Sequence, residues 1–573
     1  MARTAFRRPI RSTRRTTWLL GAAIALPLQV RASPPDASKI DASKIGWSAS
    51  GKEGVVAAGK AEAVAAGLTI LQANGNAADA AVATILALSI TDYGSFAIGA
   101  EVPFIIYRAD RKEVKVLSGM GSAPLAPEAV RWYEEHGIPK GGMKAAAVPA
   151  ALSLCFAALK QYGTMSFEKV CEPALALLAK PTEPWHASLA ATFRKLIERE
   201  RSAPGGREEK LQAARDRFYK GDIADELDAF YAANGGFLRK ADLAAHETRI
   251  EDPVQTTYRG YTICKCGPWT QGPYLCQTLR LLESFDLGKM GHLSADYLHV
   301  CAEALKLALA DRDEYYGDPL FVDVPMTALL SDEYTRLRVP LIDTKKASLE
   351  VRPGDPRGMK PLLGPGRRRP APGGTTTCCV ADRWGNVVAA TPSGNPPYVT
   401  SDSTGVSHAT RLSSLNTTPG HPNRIQPGKR PRITLTPTLV LKDGQPFLAV
   451  SVAGGDLQDQ VTLNLILDAI DFHLAPAEAV RAPRFATDHH ESSFDPSPDR
   501  EKTVGKRGGL LLHSGIADKV ADELKARGHV VTRTSGPVGN PIMIRIDRAA
   551  GRAEAAGDPA AGRHAGAVDD WSR

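Results

Sequence analysis

Cysteine is scarce: eight residues in a chain of 573. That is too few to staple so long a chain, which excludes a small disulfide-built fold. No Cys-x-x-Cys pair or Cys/His set supplies zinc spacing. Cys264 and Cys266 read as neighbours on one face of a strand, and Cys378 and Cys379 as opposite faces of another. His489-His490-Glu491 lacks the i, i+4 spacing of a helical metal pair and reads as a solvated loop. No metal is expected. Long apolar runs are lacking too. The stretch 18–30 holds thirteen mostly apolar residues, too short as a helix for the ~30 Å hydrocarbon core of a bilayer. Hydrophobic residues make up 43% and charged residues 23% of the chain, a globular balance that excludes disorder and a polytopic membrane protein. There is no internal repeat.

Acidic residues are absent from positions 1–32, which carry seven Arg (Arg3, Arg7, Arg8, Arg11, Arg14, Arg15 and Arg31). A basic region, a short apolar stretch and Val30-Arg31-Ala32 before Ser33 follow the order of a secretory signal peptide ending at residue 32. Ser12-Thr13-Arg14-Arg15 has the form of a twin-arginine start, with Thr17 a weak residue for it. An exported chain, periplasmic or secreted and without a stable membrane anchor after signal removal, is the expectation. A basic tail or an uncleaved anchor is the competing reading. The leader also accounts for the charge. The whole chain carries a formal net charge of +8, and removing residues 1–32 leaves +1. Net charge therefore gives no support for nucleic-acid binding.

From Gly54 the pattern reads as helical. Residues 60–74 place Val64, Leu68 and Leu71 on one face with Gly75 as a stop, and residues 76–90 form an apolar helix of the buried kind. Residues 102–107 and 113–117 read as paired strands, 143–240 as mostly helical, 261–266 as a strand, and 274–284 and 295–313 as helices. Residues 351–374 then hold six Pro and six Gly in 24 positions, which excludes a helix or a central strand and reads as a flexible linker. Strand character follows at 375–381 and 387–391 around the turn 382–386, and again at 434–441 and 447–453. Helices are expected at 459–472 and 516–527. The order implies an α+β layered domain with antiparallel pairing.

Gly373-Gly374-Thr375-Thr376-Thr377 joins the linker to a strand. Simple β-propensity explains threonines there. The functional alternative is that the Gly374–Thr375 bond is cut. Thr375 would then carry a free α-amine, pKa near 7.7–8.0, beside its own hydroxyl, so that nucleophile and base share one residue. Gly454-Gly455-Asp456 lies between a strand and a helix. Two glycines there let backbone N–H groups approach a substrate near a helix N-terminus, as an oxyanion hole requires. The plain alternative is a tight turn with Asp456 as N-cap.

With these motifs the chain resembles the gamma-glutamyltransferase (gamma-glutamyltranspeptidase) family of N-terminal-nucleophile hydrolases. The resemblance runs over Gly75-Asn76-Ala77-Ala78-Asp79-Ala80-Ala81, Tyr258-Arg259-Gly260-Tyr261, Ala310-Asp311-Arg312 before Tyr316-Gly317-Asp318-Pro319, and Thr375-Thr376 with Asp382 and Gly385-Asn386. It continues through Lys429-Arg430-Pro431 with Pro437-Thr438, Gly454-Gly455, Ala477-Glu478-Ala479 and Ala482-Pro483-Arg484-Phe485. It implies a four-layer αββα sandwich made as one precursor that cuts itself into a large subunit, 33–374, and a small subunit, 375–573. It implies Thr375 as nucleophile, Ser393 as the second hydroxyl bonded to it, Asn395 near the substrate amino group, Gly454 and Gly455 as oxyanion donors, and no cofactor.

The departures from the family pattern concern the readout of a free glutamate head. The arginine that grips the α-carboxylate falls at Met120, the aspartate that binds the α-amine near Ser414, and the Ser-Ser pair at Ile433-Thr434. The glycine run after Ile98-Gly99 reads Ala100-Glu101-Val102. Arg411 and Arg432 are candidate replacement anion contacts, since arginine binds carboxylates bidentately; as plain residues they read as surface charges. The expectation is a self-processing amide hydrolase or acyltransferase working through an acyl-Thr intermediate on γ-glutamyl or related acyl amides, glutathione hydrolase-like. The alternatives are an acylase for a non-glutamyl amide, cephalosporin acylase-like or oxamate hydrolase-like, and an unprocessed scaffold that keeps only the fold. The expected partners are a small-molecule amide and the two fragments of the one precursor, with no nucleic acid.

Overall fold

The structure, a computed structural model, describes residues 40–363, 375–394, 396–491, 493 and 504–569. The expected leader 1–32, residue Gly374 of the expected junction, and Asn395 lie outside the described residues.

Two seven-stranded sheets carry the fold. The first runs, edge to edge, His564–Val568, Gly54–Ala58, Cys378–Asp382, Val387–Ala390, Val102–Arg108, Glu113–Gly119 and Arg249–Glu251, antiparallel at every step. The second runs Ser48–Gly51, Arg552–Gly557, Asn540–Asp547, Gln445–Ala453, Thr438–Lys442, Tyr261–Lys265 and Val254–Tyr258, again antiparallel.

Strand alternation builds the layers, because successive side chains point to opposite faces. Val55, Ala57, Ile105, Cys379 and Ala389 of the first sheet share one buried cluster with Cys264, Leu439, Ala449, Ile542 and Ala555 of the second. Their neighbours Val56, Ala58, Phe104, Cys378 and Val388 face the other way, onto helices that include Ala61–Gln72, Ala77–Thr91 and Ala151–Tyr162. On the far side, Ile263, Val440, Val450 and Met543 pack on Pro273–Leu282, Ala295–Tyr315 and Leu457–Ile470. The result is helix, sheet, sheet, helix: the expected αββα sandwich. The cysteines fall as their spacing required, Cys264 and Cys266 in one cluster and Cys378 and Cys379 in different ones. All eight are buried and unbridged.

Three expectations need correction. Gly54–Ala58 is a strand, fully buried between two others; five small and apolar residues do not distinguish a buried strand from a helix start. The His489-His490-Glu491 segment is buried, with Glu491 N donating to Asp313 Oδ2 at 3.0 Å. Residues 351–363, expected to be a loose linker, form neither helix nor strand yet are tied down. Gly354 N donates to the buried Asp311 Oδ1 at 2.7 Å, and Arg338 donates to the carbonyls of Arg352 and Pro361 at 2.7 and 2.6 Å. Among the described residues no helix is long and apolar enough to cross a membrane.

Candidate active site

Thr375 stands just ahead of Cys378–Asp382, an inner strand of the first sheet, rather than within it as expected. The hairpin with Val387–Ala390 returns the chain to the same end, so Thr376 N donates to Pro392 O at 2.9 Å and Thr375 Oγ1 lies 3.2 Å from Ser393 Oγ. The head of the strand is pinned by residues distant in sequence. Thr376 Oγ1 donates to Asp92 Oδ2 at 2.6 Å, Arg563 Nη1 lies 3.4 Å from the same oxygen, and Gly59 N donates to Thr377 O at 3.1 Å. A Cβ on Gly59 would sit 2.2 Å from Thr376 Oγ1 and 2.8 Å from Asp92 Oδ2. Gly59→Ala is therefore expected to lower stability by about 1–3 kcal/mol through overpacking and to displace the strand head. A lower thermal midpoint is the expected result; a parental midpoint would contradict it.

The strand Gln445–Ala453 enters the helix Leu457–Ile470 through Gly454 (φ 143°) and Gly455 (φ 60°), where side-chain-bearing residues are strained. Among the described residues neither glycine N–H donates a hydrogen bond. Asp456 makes no cap bond. Its carboxylate instead accepts from Arg312 Nη1 (2.6 Å), Ser493 Oγ (2.6 Å) and Ser493 N (2.8 Å). Burial opposes ionisation of Asp456, but Arg312, His490 and Arg432 outweigh it and hold the carboxyl down to about 2. Arg312 is fully buried and also donates to Gln271 Oε1 (2.8 Å) and Asp313 Oδ1 (2.8 Å). The glycine turn thus rests on a fixed ionic support.

Arg411 and Arg432 are not surface charges. Arg411 is fully buried, ion-paired through Nε with Glu101, and donates from Nη2 to Ser393 Oγ at 2.9 Å. Burial pushes the Glu101 carboxyl up, and Arg411 opposes this. Arg432 is 7% exposed and donates from Nη1 to Ser493 Oγ at 2.8 Å. Burial, then the like charge of Arg312, pulls it down to about 10. Thr434 is buried beside Gln458 (3.5 Å). Ser414 is buried at the end of the short turn Arg411–Ser414, and its carbonyl accepts from Asn423 Nδ2 at 2.5 Å. Met120 and Ile433 are core residues.

Sequence reasoning missed Gln458 and the function of Glu101. Gln458 sits one turn beyond the glycine pair, 3.3 Å from Thr375 Oγ1; an amide in the first turn of that helix was its only signal. Elsewhere, His299 Nδ1 and His529 Nε2 lie 2.8 Å apart near Glu303. That carboxylate is already ion-paired with Lys306 and with Arg352 (2.9 Å), so the set does not fit a metal ion.

Two stacked antiparallel sheets between helix layers, with a threonine at the head of an inner strand and a glycine turn close by, define an amidohydrolase of the N-terminal-nucleophile type. The family model for gamma-glutamyltranspeptidase matches residues 63–183 and 182–568, and the chain belongs to that family. It is 32% identical over 512 residues to the glutathione hydrolase proenzyme of Escherichia coli (strain K12), covering 80% of this chain and 85% of that protein. It is 31% identical over 540 residues to the acylase ACY 1 proenzyme of Pseudomonas sp. (strain SE83), covering 87% and 91%. The crystal structure of cephalosporin acylase from Bacillus halodurans superposes with a TM-score of 0.74 at 27% identity, covering 91% of this chain and 97% of that one.

Proposed function

We propose that the chain is a precursor that cuts itself between Gly374 and Thr375 and then hydrolyses or transfers an acyl group from an amide, with large subunit 33–374 and small subunit 375–573. The observation that carries this reading is the 3.2 Å contact between the Thr375 and Ser393 hydroxyls at the strand head, with the helix that follows the Gly454–Gly455 turn reaching Thr375 through Gln458. In the cut enzyme the α-amine of Thr375 takes the Oγ proton. Oγ attacks the amide carbonyl, the glycine N–H groups stabilise the oxyanion, and the leaving amine receives the proton from the α-ammonium. Water, or an acceptor amine, releases the acyl group. No cofactor takes part. Export by the 1–32 leader places the mature enzyme in the periplasm or outside the cell.

The acyl group is best read as other than a free γ-glutamyl head. Met120 and Ile433 offer no polar contact for an α-carboxylate, and Arg411 already holds an internal side-chain carboxylate, that of Glu101. Arg432, with Thr434 and Ser414, remains the candidate contact for a substrate anion. A substrate deprived of a charge-assisted hydrogen bond binds more weakly by ~1.5–3 kcal/mol. A p-nitroanilide panel of γ-glutamyl, glutaryl and neutral aliphatic acyl groups is the test. The expected result is a kcat/KM for the γ-glutamyl anilide at least about tenfold below the best of the panel. Saturable turnover of the γ-glutamyl anilide as the best substrate would restore the glutathione hydrolase-like reading.

A further inference from the structure

Arg411 and Glu101 lie 310 residues apart in sequence and meet in the core. The acid that holds the arginine is on the segment that holds Ser393: Ser393 N donates to Glu101 O at 3.0 Å, and Glu101 N donates to Ser393 O at 3.2 Å. A guanidinium carries donors only. Ser393 Oγ must therefore accept from Arg411 at 2.9 Å. An oxygen that accepts from a cation is a weaker acceptor for a second bond and a stronger donor. This biases the 3.2 Å contact, which either hydroxyl is placed to donate, toward Ser393 O–H donating to Thr375 Oγ1.

The opposite side of Thr375 is oriented too. The Gln458 amide faces the carbonyls of Val452 at 3.1 Å and Thr434 at 3.0 Å, which accept only from its NH2. Its oxygen then lies toward Thr375 Oγ1, 3.3 Å away. We propose that Arg411, held by Glu101, is a positioning residue that sets the direction of hydrogen bonding at the nucleophile, from Arg411 to Ser393 to Thr375 to Gln458. Thr375 Oγ1 then receives a donor that stabilises negative charge as it attacks; its own proton rests against the Gln458 oxygen, which holds it but cannot take it, and in the cut enzyme passes to the α-amine on attack. Arg411 acts on the protein's own hydroxyl and carboxylate, not on the substrate.

The proposal rests on Thr375 as the self-processing nucleophile, so self-processing, which needs no added substrate, is the readout. Purified precursors carrying Arg411→Lys, Ser393→Ala and both changes are followed on denaturing gels, with Thr375→Ala as the blank. Arg411→Lys is expected to slow processing about tenfold in the parent and less than about twofold in the Ser393→Ala background, because its effect passes through that hydroxyl. In a Ser393→Thr background, which keeps the hydroxyl, the full slowing should return. Equal slowing with and without the Ser393 hydroxyl, or parental processing by Arg411→Lys, would overturn it. Should Arg411→Lys lose its cooperative melt, Glu101→Gln carries the same comparison: slowing in the parent supports the proposal, and equal slowing in Ser393→Ala overturns it. Fragments from Thr375→Ala would instead overturn the assignment of Thr375, and the proposal with it.

Discussion

Thr375→Ala is expected to give a single uncut chain, and the parent to resolve on a denaturing gel into bands of ~36 and ~21 kDa, scaled from 61.2 kDa for 573 residues. Alanine removes the only atom at that position able to attack the preceding carbonyl. Thr375→Ser keeps the hydroxyl without the methyl and should still process, more slowly, because a serine χ1 is less restrained than a threonine's. Fragments that persist in Thr375→Ala would move the nucleophile elsewhere. The cut parent should nevertheless elute as one particle under native conditions. Buried ion pairs cross the proposed cut in both directions: Lys265–Asp459 at 2.7 Å and Arg312–Asp456 at 2.6 Å give cations from the large subunit, and Asp318–Arg430 at 2.8 Å gives one from the small. Strands from either side of the cut also alternate within each sheet, Cys378–Asp382 beside Gly54–Ala58 and Thr438–Lys442 beside Tyr261–Lys265, so parting the fragments would break both sheets as well as these pairs.

How far the fold can be read from the chain depends on whether its contacts are local or long-range. Helix Ala77–Thr91 announces itself locally, with Asn76 and Asp79 forming the capping box before an apolar run. The hairpin around Asp382–Asn386 does likewise, Asp382 accepting from the backbone of Trp384 and Asn386 at 2.9 Å each. Strand Arg552–Gly557 does not. Its sequence RAEAAG carries little strand propensity, and it becomes a strand because Asn540–Asp547 and Ser48–Gly51 pair with it on either side. The site divides in the same way. Thr375, Ser393 and the glycine pair sit in local patterns of turn and strand. The partnership of Arg411 with Glu101 is written nowhere near either residue, so Arg411 read on its own is a surface charge or a substrate contact; its burial removes the first reading, and its internal partner is visible only in the fold.

His408 supports a prediction of a different kind. It is fully buried, ringed by Phe230 and Tyr231 at centroid distances of 6.0 and 5.1 Å, and neither ring nitrogen has a hydrogen-bond partner among the described residues. Burial lowers its pKa to about 3, against about 6.5 in an unfolded chain. The folded-state value is depressed, so unfolding takes up a proton below pH 6.5. The stability this histidine contributes is complete above that pH and is lost as pH falls toward 3. At pH 5 the loss is ~2 kcal/mol relative to pH 7.5. His408→Phe removes the titration. Whatever packing cost or gain the larger ring brings is common to both pH values, so the change between them isolates the proton. Buried carboxyls whose pKa values are raised, Asp459 to about 6 among them, shift the parent and the variant alike and cancel in the comparison. The Thr375→Ala chain is the background of choice, since one uncut chain unfolds without subunit dissociation. The variant should gain ~2 kcal/mol of apparent stability over its background on going from pH 7.5 to 5.0 in urea. A gain of the same size at both pH values would mean that His408 is protonated in the folded state or reached by water, and that its aromatic surroundings do not exclude charge.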